Sequence, residues 1–153
     1  MLIPFFAGIL IIAILDQAAK FFAASLLQSV KTFPVWENVF HLTYLENSGA
    51  GWGMFSEHTW ILTALTFIVI VAVVAYIVVK RPKSILLNLA LTSIIGGAVG
   101  NFIDRVRVGY VIDFFDFTLI NFPVFNVADC FITVGAVLFM VYVIFYSDKK
   151  EEK

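Results

Sequence analysis

Four of the six aspartates in the chain, Asp104, Asp113, Asp116 and Asp129, fall between Gly96 and Asp129. The sequence around them is apolar. Ionisable groups at or near membrane depth are costly, so their presence there calls for an explanation. Two carboxylates held close together cannot both ionise easily; they share a proton and their pKa values split. The ionised member can take a proton from water and the protonated member can donate to a carbonyl oxygen, as peptide-bond hydrolysis requires. Asp129 is the hardest of the four to explain structurally. It reads as about two turns inside the last helix, with no basic residue near it in sequence. Two residues compete to be its partner. Asp113 sits among Val111, Ile112, Phe114 and Phe115, an apolar setting that desolvates a carboxylate. Asp104 is the rival, although Arg105 beside it suits a structural helix-end ion pair. Asp116 reads as solvated.

The elements that must position these acids are membrane spans. The chain is 61% hydrophobic and only 14% charged, with a mean hydropathy of +0.98, more apolar than a soluble domain of 153 residues. Leu2 to Leu27 reads as a retained transmembrane helix. It lacks a basic residue ahead of the apolar run, and the run continues past Asp16 and Lys20, unlike a cleaved leader. Further spans are expected over 60–79, 84–103 and 123–146, the last beginning at Pro123, a residue favoured at the first helical position. The intervening segments 28–59 and 104–122 read as loops. Each carries a strand-like run, Val39 to Leu45 and Val108 to Phe115. The expected architecture is a single mainly α membrane domain, a four-helix bundle with a small extracytoplasmic sheet formed by the two loops. Gly96 and Gly100 form a small-xxx-small pair that permits close helix packing. Asn47-Ser48-Gly49-Ala50-Gly51-Trp52-Gly53 suits a turn and close backbone approach. Trp36, Trp52 and Trp60 suit the membrane interface.

Basic residues set the orientation. Lys80, Arg81, Lys83, Lys149, Lys150 and Lys153 outnumber Lys31, Arg105 and Arg107, which places the short turn and both termini in the cytoplasm and the two loops outside. On that topology Asp16, Lys20, Asn47, Asn101, Asp104, Arg105, Asp113, Asn126 and Asp129 converge near the outer membrane boundary. Asp16 and Lys20 share a helical face, as do Asn101, Asp104 and Arg105, and Asn126 and Asp129. One polar pocket roofed by the loops follows. Blander roles weigh against this: Asp16 with Lys20 can seat a helix at the interface, and Asn101 and Asn126 can simply join helices. His41 and His58 lack ligand-like spacing, so no metal is expected. Cys130 reads as a small core residue and excludes an internal disulfide. No basic patch suits nucleic acid. A small proton-coupled transporter or channel using the same aspartates as a relay is the alternative from a different class, but the chain shows no internal repeat.

Particular stretches carry a resemblance. Asp16-Gln17-Ala18-Ala19-Lys20, Asn47-Ser48-Gly49-Ala50, the run GGAVGNFIDR at 96–105, GYVIDF at 109–114 and FNVAD at 125–129 together resemble lipoprotein signal peptidase, or signal peptidase II. They span most of the chain in that family's order. Gly51 stands where the family often has Ala, and Cys130 where it often has Ser or Thr. The resemblance implies an intramembrane aspartyl endopeptidase that needs no cofactor. It would cut bacterial prolipoproteins just before a cysteine already carrying diacylglycerol. The family's catalytic aspartates fall on Asp113 and Asp129. Asp16, Lys20, Asn47, Gly49, Asn101, Asp104, Arg105 and Asn126 would support the site or bind substrate. The implied setting is the bacterial inner membrane, with lipidated prolipoproteins and membrane lipids as partners and the enzyme a monomer.

Overall fold

A computed structural model describes residues 2–49 and 58–146. Four helices are long and apolar enough to cross a membrane: α1 (Leu2–Leu27), α2 (Thr59–Lys80), α3 (Ile85–Val108) and α4 (Val127–Tyr146). Three strands form one antiparallel sheet in the order β1 (Thr32–Trp36), β2 (Phe40–Asn47), β3 (Val111–Asp116). The mainly helical bundle with a small sheet expected from the sequence is therefore present. The sheet has a third strand that the sequence reading did not identify. β1 contains Pro34, which cannot donate to a ladder and argues against a strand. It is tolerated here because β1 is an edge, and the pairing with β2 slips between Pro34 and Trp36.

The third and fourth helices have boundaries different from those expected. α3 does not stop at the charges after Ile103 but continues to Val108, so Asp104, Arg105 and Arg107 are helical rather than in a loop. Charge does not end a helix whose polar side chains find partners inside the bundle. The stop is Gly109, whose φ of 83° is cheap only for glycine and whose N–H bonds the Arg105 carbonyl. α4 begins at Val127, not at Pro123. Residues before it run extended instead, with Phe125 bridging Phe115 of β3. Asp129 therefore lies in the first turn of α4 rather than two turns deep.

α3 is the central helix, packed against each of the other three, whereas α2 packs chiefly on α3. Glycines allow the close approach. A Cβ at Gly96 would strike Ile12, one at Gly97 the Ala128 carbonyl oxygen, and one at Gly100 the Asp16 carboxylate. At one end of the bundle Phe5, Ile77, Leu87 and Leu91 tie α1, α2 and α3 together. At the other end Ala23 and Leu27 of α1 pack under Tyr44 and Phe114, which seats the sheet on the bundle. The remaining large apolar side chains, such as Leu10, Leu15, Phe22, Ile68 and Ile144, point outward, as a lipid-facing surface requires.

Candidate active site

The site assembles where α1, α3, the start of α4 and the β2–β3 pair meet. Asp113 is 2% exposed on β3. The β2–β3 register is irregular between Leu42 and Leu45, next to the pairing of Leu45 with Asp113, and such irregularities commonly re-aim a side chain. Asn47 pairs with Val111, diagonal to Asp113, and its Nδ2 donates to Asp113 Oδ2 at 2.8 Å. Asn126 Nδ2 donates to Asp113 Oδ1 at 2.6 Å. Burial pushes the Asp113 carboxyl up to about 7 from the ordinary 3.8. These two N–H donors, with Lys20, pull it down and Asp129 pushes it further up.

Asp129 is held by the start of its own helix. The Asn126 N–H donates to Asp129 Oδ2 at 3.1 Å, and the Asp129 N–H donates to Asn126 Oδ1 at 3.0 Å. This reciprocal pair has the form of a capping box with aspartate in the third helical position. Asn101 Nδ2 donates to Asp129 Oδ1 at 2.9 Å. Asn126 Nδ2 also reaches Asn101 Oδ1 at 3.1 Å. Asn101 and Asn126 thus link the two aspartates, and each of the four carboxylate oxygens accepts one amide N–H.

Beneath this pair lies a buried charge cluster. Lys20 Nζ bonds Asp16 Oδ2 and Asp104 Oδ2, each at 2.8 Å, and donates to Asn101 Oδ1 at 2.7 Å. Asp16 Oδ1 accepts from the Ala128 N–H at 2.8 Å and so satisfies an otherwise unpaired donor at the start of α4. Asp16 and Lys20 are 0% and 2% exposed. They are an interior clamp, not a seat at the interface.

Asp104 does not pair with Arg105. Successive helical residues point in different directions, so Asp104 faces Lys20 of α1 while Arg105 Nη2 points to the Gly49 carbonyl at 3.4 Å. Gly49 is fixed in turn by its N–H to Asn47 Oδ1. Of the Gly-rich stretch only Asn47, Ser48 and Gly49 can be placed; Ala50, Gly51, Trp52 and Gly53 lie outside the described residues. Lys149, Lys150 and Lys153, used for orientation, lie outside them too. Asp116 is half-buried and accepts from Thr43, rather than being free in solvent. Cys130 is exposed, not core, and lines the cavity described below.

Gln17 was missed by sequence reasoning. Its Nε2 contacts Asp104 Oδ1 at 2.9 Å and the Gly100 carbonyl at 3.2 Å. Its signals were its place beside Asp16 on an otherwise apolar helix and its position within the Asp16 to Lys20 stretch that carries the resemblance. Among the described residues no group of His, Cys, Asp or Glu is arranged to hold a metal ion.

Asp113 and Asp129 open onto one cavity of about 730 Å³, also lined by Asn47, Gly49, Asn101 and Arg105. The rest of its lining is mostly apolar and draws on Thr66 of α2, Ala98 of α3, and Ile132 and Val134 of α4. Residues 8–145 match the family model described as Signal peptidase (SPase) II. The chain belongs to the signal peptidase II family. A lipoprotein signal peptidase of Clostridium acetobutylicum is 40% identical over 151 residues, 95% of this chain and 98% of the relative. One from Caldanaerobacter subterraneus is 47% identical over 135 residues, 88% of this chain and 91% of the relative. A solved structure described as a bacterial membrane enzyme superposes with a TM-score of 0.87 at 30% identity, covering 98% of this chain and 93% of that one. Membership makes this multi-pass membrane protein a peptidase, and the relay reading of its aspartates finds no support in such a family.

Proposed function

We propose that this signal peptidase II is an intramembrane aspartyl endopeptidase. It removes signal peptides from diacylglyceryl-modified bacterial prolipoproteins, cutting just before the lipidated cysteine. One observation carries the mechanism: Asp113 and Asp129 face a common cavity and are linked through Asn101 and Asn126. Every carboxylate oxygen of the pair already accepts an N–H, so the proton that Asp113 retains near neutrality has no protein acceptor among these partners. It is directed into the cavity, where a scissile carbonyl would lie.

In the first step Asp129 takes a proton from water, the water oxygen bonds to the carbonyl carbon, and Asp113 gives its proton to the carbonyl oxygen. In the second the C–N bond breaks, Asp129 passes its proton to the departing nitrogen, and a proton from the new carboxyl group returns to Asp113. The mostly apolar lining that includes Thr66 and Val134 suits the acyl chains of a lipidated substrate arriving sideways from the bilayer. The enzyme works as a monomer in the bacterial cytoplasmic membrane. Both termini lie in the cytoplasm and the sheet lies at the outer face, where Asn47, Gly49 and Arg105 flank the substrate backbone.

The deciding experiment incubates purified protein in detergent with a diacylglyceryl-modified prolipoprotein and measures released signal peptide. Asp113→Asn and Asp129→Asn should each insert normally and lose at least a thousandfold in rate. Turnover near the wild-type rate by either variant refutes the pair. Asp104→Asn should cost stability before chemistry, and a well-folded inactive Asp104→Asn would return Asp104 to contention.

A further inference from the structure

Lys20 lies outside the cavity and touches neither Asp113 nor Asp129, yet it is buried with all three ammonium hydrogens engaged. Two go to the carboxylates of Asp16 and Asp104 and the third to Asn101 Oδ1. An ammonium group can only donate, whereas a side-chain amide can present either its oxygen or its nitrogen. The contact with Lys20 therefore makes Asn101 present its oxygen to α1, which leaves Nδ2 to face Asp129 Oδ1. Asn126 has its own lock, because its Oδ1 accepts the fixed backbone N–H of Asp129. Its Nδ2 carries two N–H groups and donates one to Asp113 Oδ1 at 2.6 Å and the other to Asn101 Oδ1 at 3.1 Å, so the Asn101 oxygen accepts from two donors. The shorter, charged contact to Asn101 is the one from Lys20.

We infer that Lys20 is a positioning residue whose N–H donor fixes the Asn101 amide, so that Asp129 meets a hydrogen-bond donor rather than a carbonyl oxygen. The inference rests on the Asp113–Asp129 reading above. Loss of the Lys20 donor leaves only the longer, uncharged contact from Asn126 to hold the Asn101 oxygen, and an oxygen turned towards Asp129 would repel the carboxylate that must take the water proton.

Removing Lys20 alone would strand two buried carboxylates, so the test uses charge-matched double variants. Lys20→Gln with Asp104→Asn keeps an N–H donor near Asn101, and Lys20→Met with Asp104→Asn does not. Both lose one cation and one anion. The methionine pair should lose at least tenfold in kcat with KM changed less than threefold. The glutamine pair should stay within about fivefold of wild type in kcat. Equal losses in the two pairs would show that charge or folding, not the donor, is what Lys20 supplies, and would overturn the inference.

Should either pair fail to fold, the wild-type protein provides the test by NMR. The Lys20 ammonium should show through-hydrogen-bond coupling to the Asn101 side-chain carbonyl, and Asp129→Asn should shift the Asn101 side-chain N–H resonances. Absence of either signal overturns the inference. The dyad reading fails separately, by turnover in Asp113→Asn or Asp129→Asn.

Discussion

At the scale of single residues, the proposed reaction makes Asp113 set the dependence on pH. It must be protonated to donate, and burial has raised it to about 7. Cleavage should therefore fall about tenfold per pH unit once pH rises past about 7, the alkaline limb of a bell whose two apparent values belong to the pair. A rate still climbing at pH 9 would contradict Asp113 as the acid. The same raised value has a consequence for stability. A carboxyl whose folded value exceeds its unfolded one contributes its full stability below about pH 4 and loses it as pH climbs through about 7. Asp113→Asn carries no such penalty. Its melting temperature should thus gain on wild type between pH 4 and 7 and level off above, equivalent to about 2–4 kcal/mol. Equal melting curves at pH 5 and pH 8 would show that the carboxyl is not strained by burial. The acids and amides were legible in the sequence because polar residues are rare in apolar helices and share faces at fixed spacing. Their pairing was not: adjacency suggested Asp104 with Arg105, and only the packing of α1 against α3 shows Lys20 as the partner.

At the scale of elements, the junction of α3 with α4 holds Asp129 in place. A methyl group at Gly97 would meet the Ala128 carbonyl, which is backbone and cannot step aside, one residue before Asp129. At Gly96 it would meet the Ile12 side chain, which has some freedom to shift. Gly97→Ala should destabilise by about 1–3 kcal/mol and also lower kcat, while Gly96→Ala should cost less and leave kcat nearly unchanged. Thermal unfolding and turnover of the two variants side by side check this; equal effects would mean that the helix pair adjusts as a whole. The helix bodies were readable from length and hydropathy. Their ends were not, because α3 is ended by Gly109 and α4 begins with the Asn126–Asp129 cap, both decided by hydrogen bonds rather than by hydrophobicity. β1 was hidden for a related reason: Pro34 argues against a strand unless the strand is known to be an edge.

At the scale of the whole molecule, the cavity has a mostly apolar lining drawn from α2, α3 and α4. Thr66→Trp should narrow its α2 side without touching the carboxylates. KM for a lipidated prolipoprotein should rise severalfold while kcat changes little. A fall in kcat alone would locate the entry elsewhere. Reporter fusions test the orientation: those after Lys83 should read cytoplasmic and those at Gly109 external. The placement of α2 itself has a consequence for how the sequence can drift. α1, α3 and α4 are joined by ion pairs and amide bonds at fixed heights, so their inward positions tolerate few replacements. α2 leans chiefly on α3, and only Ile77 of its residues is buried. Most of its outward positions answer only to lipid, where Leu, Ile, Val and Phe are interchangeable. Across relatives α2 should therefore be the helix whose wording changes fastest while its length and greasiness stay constant.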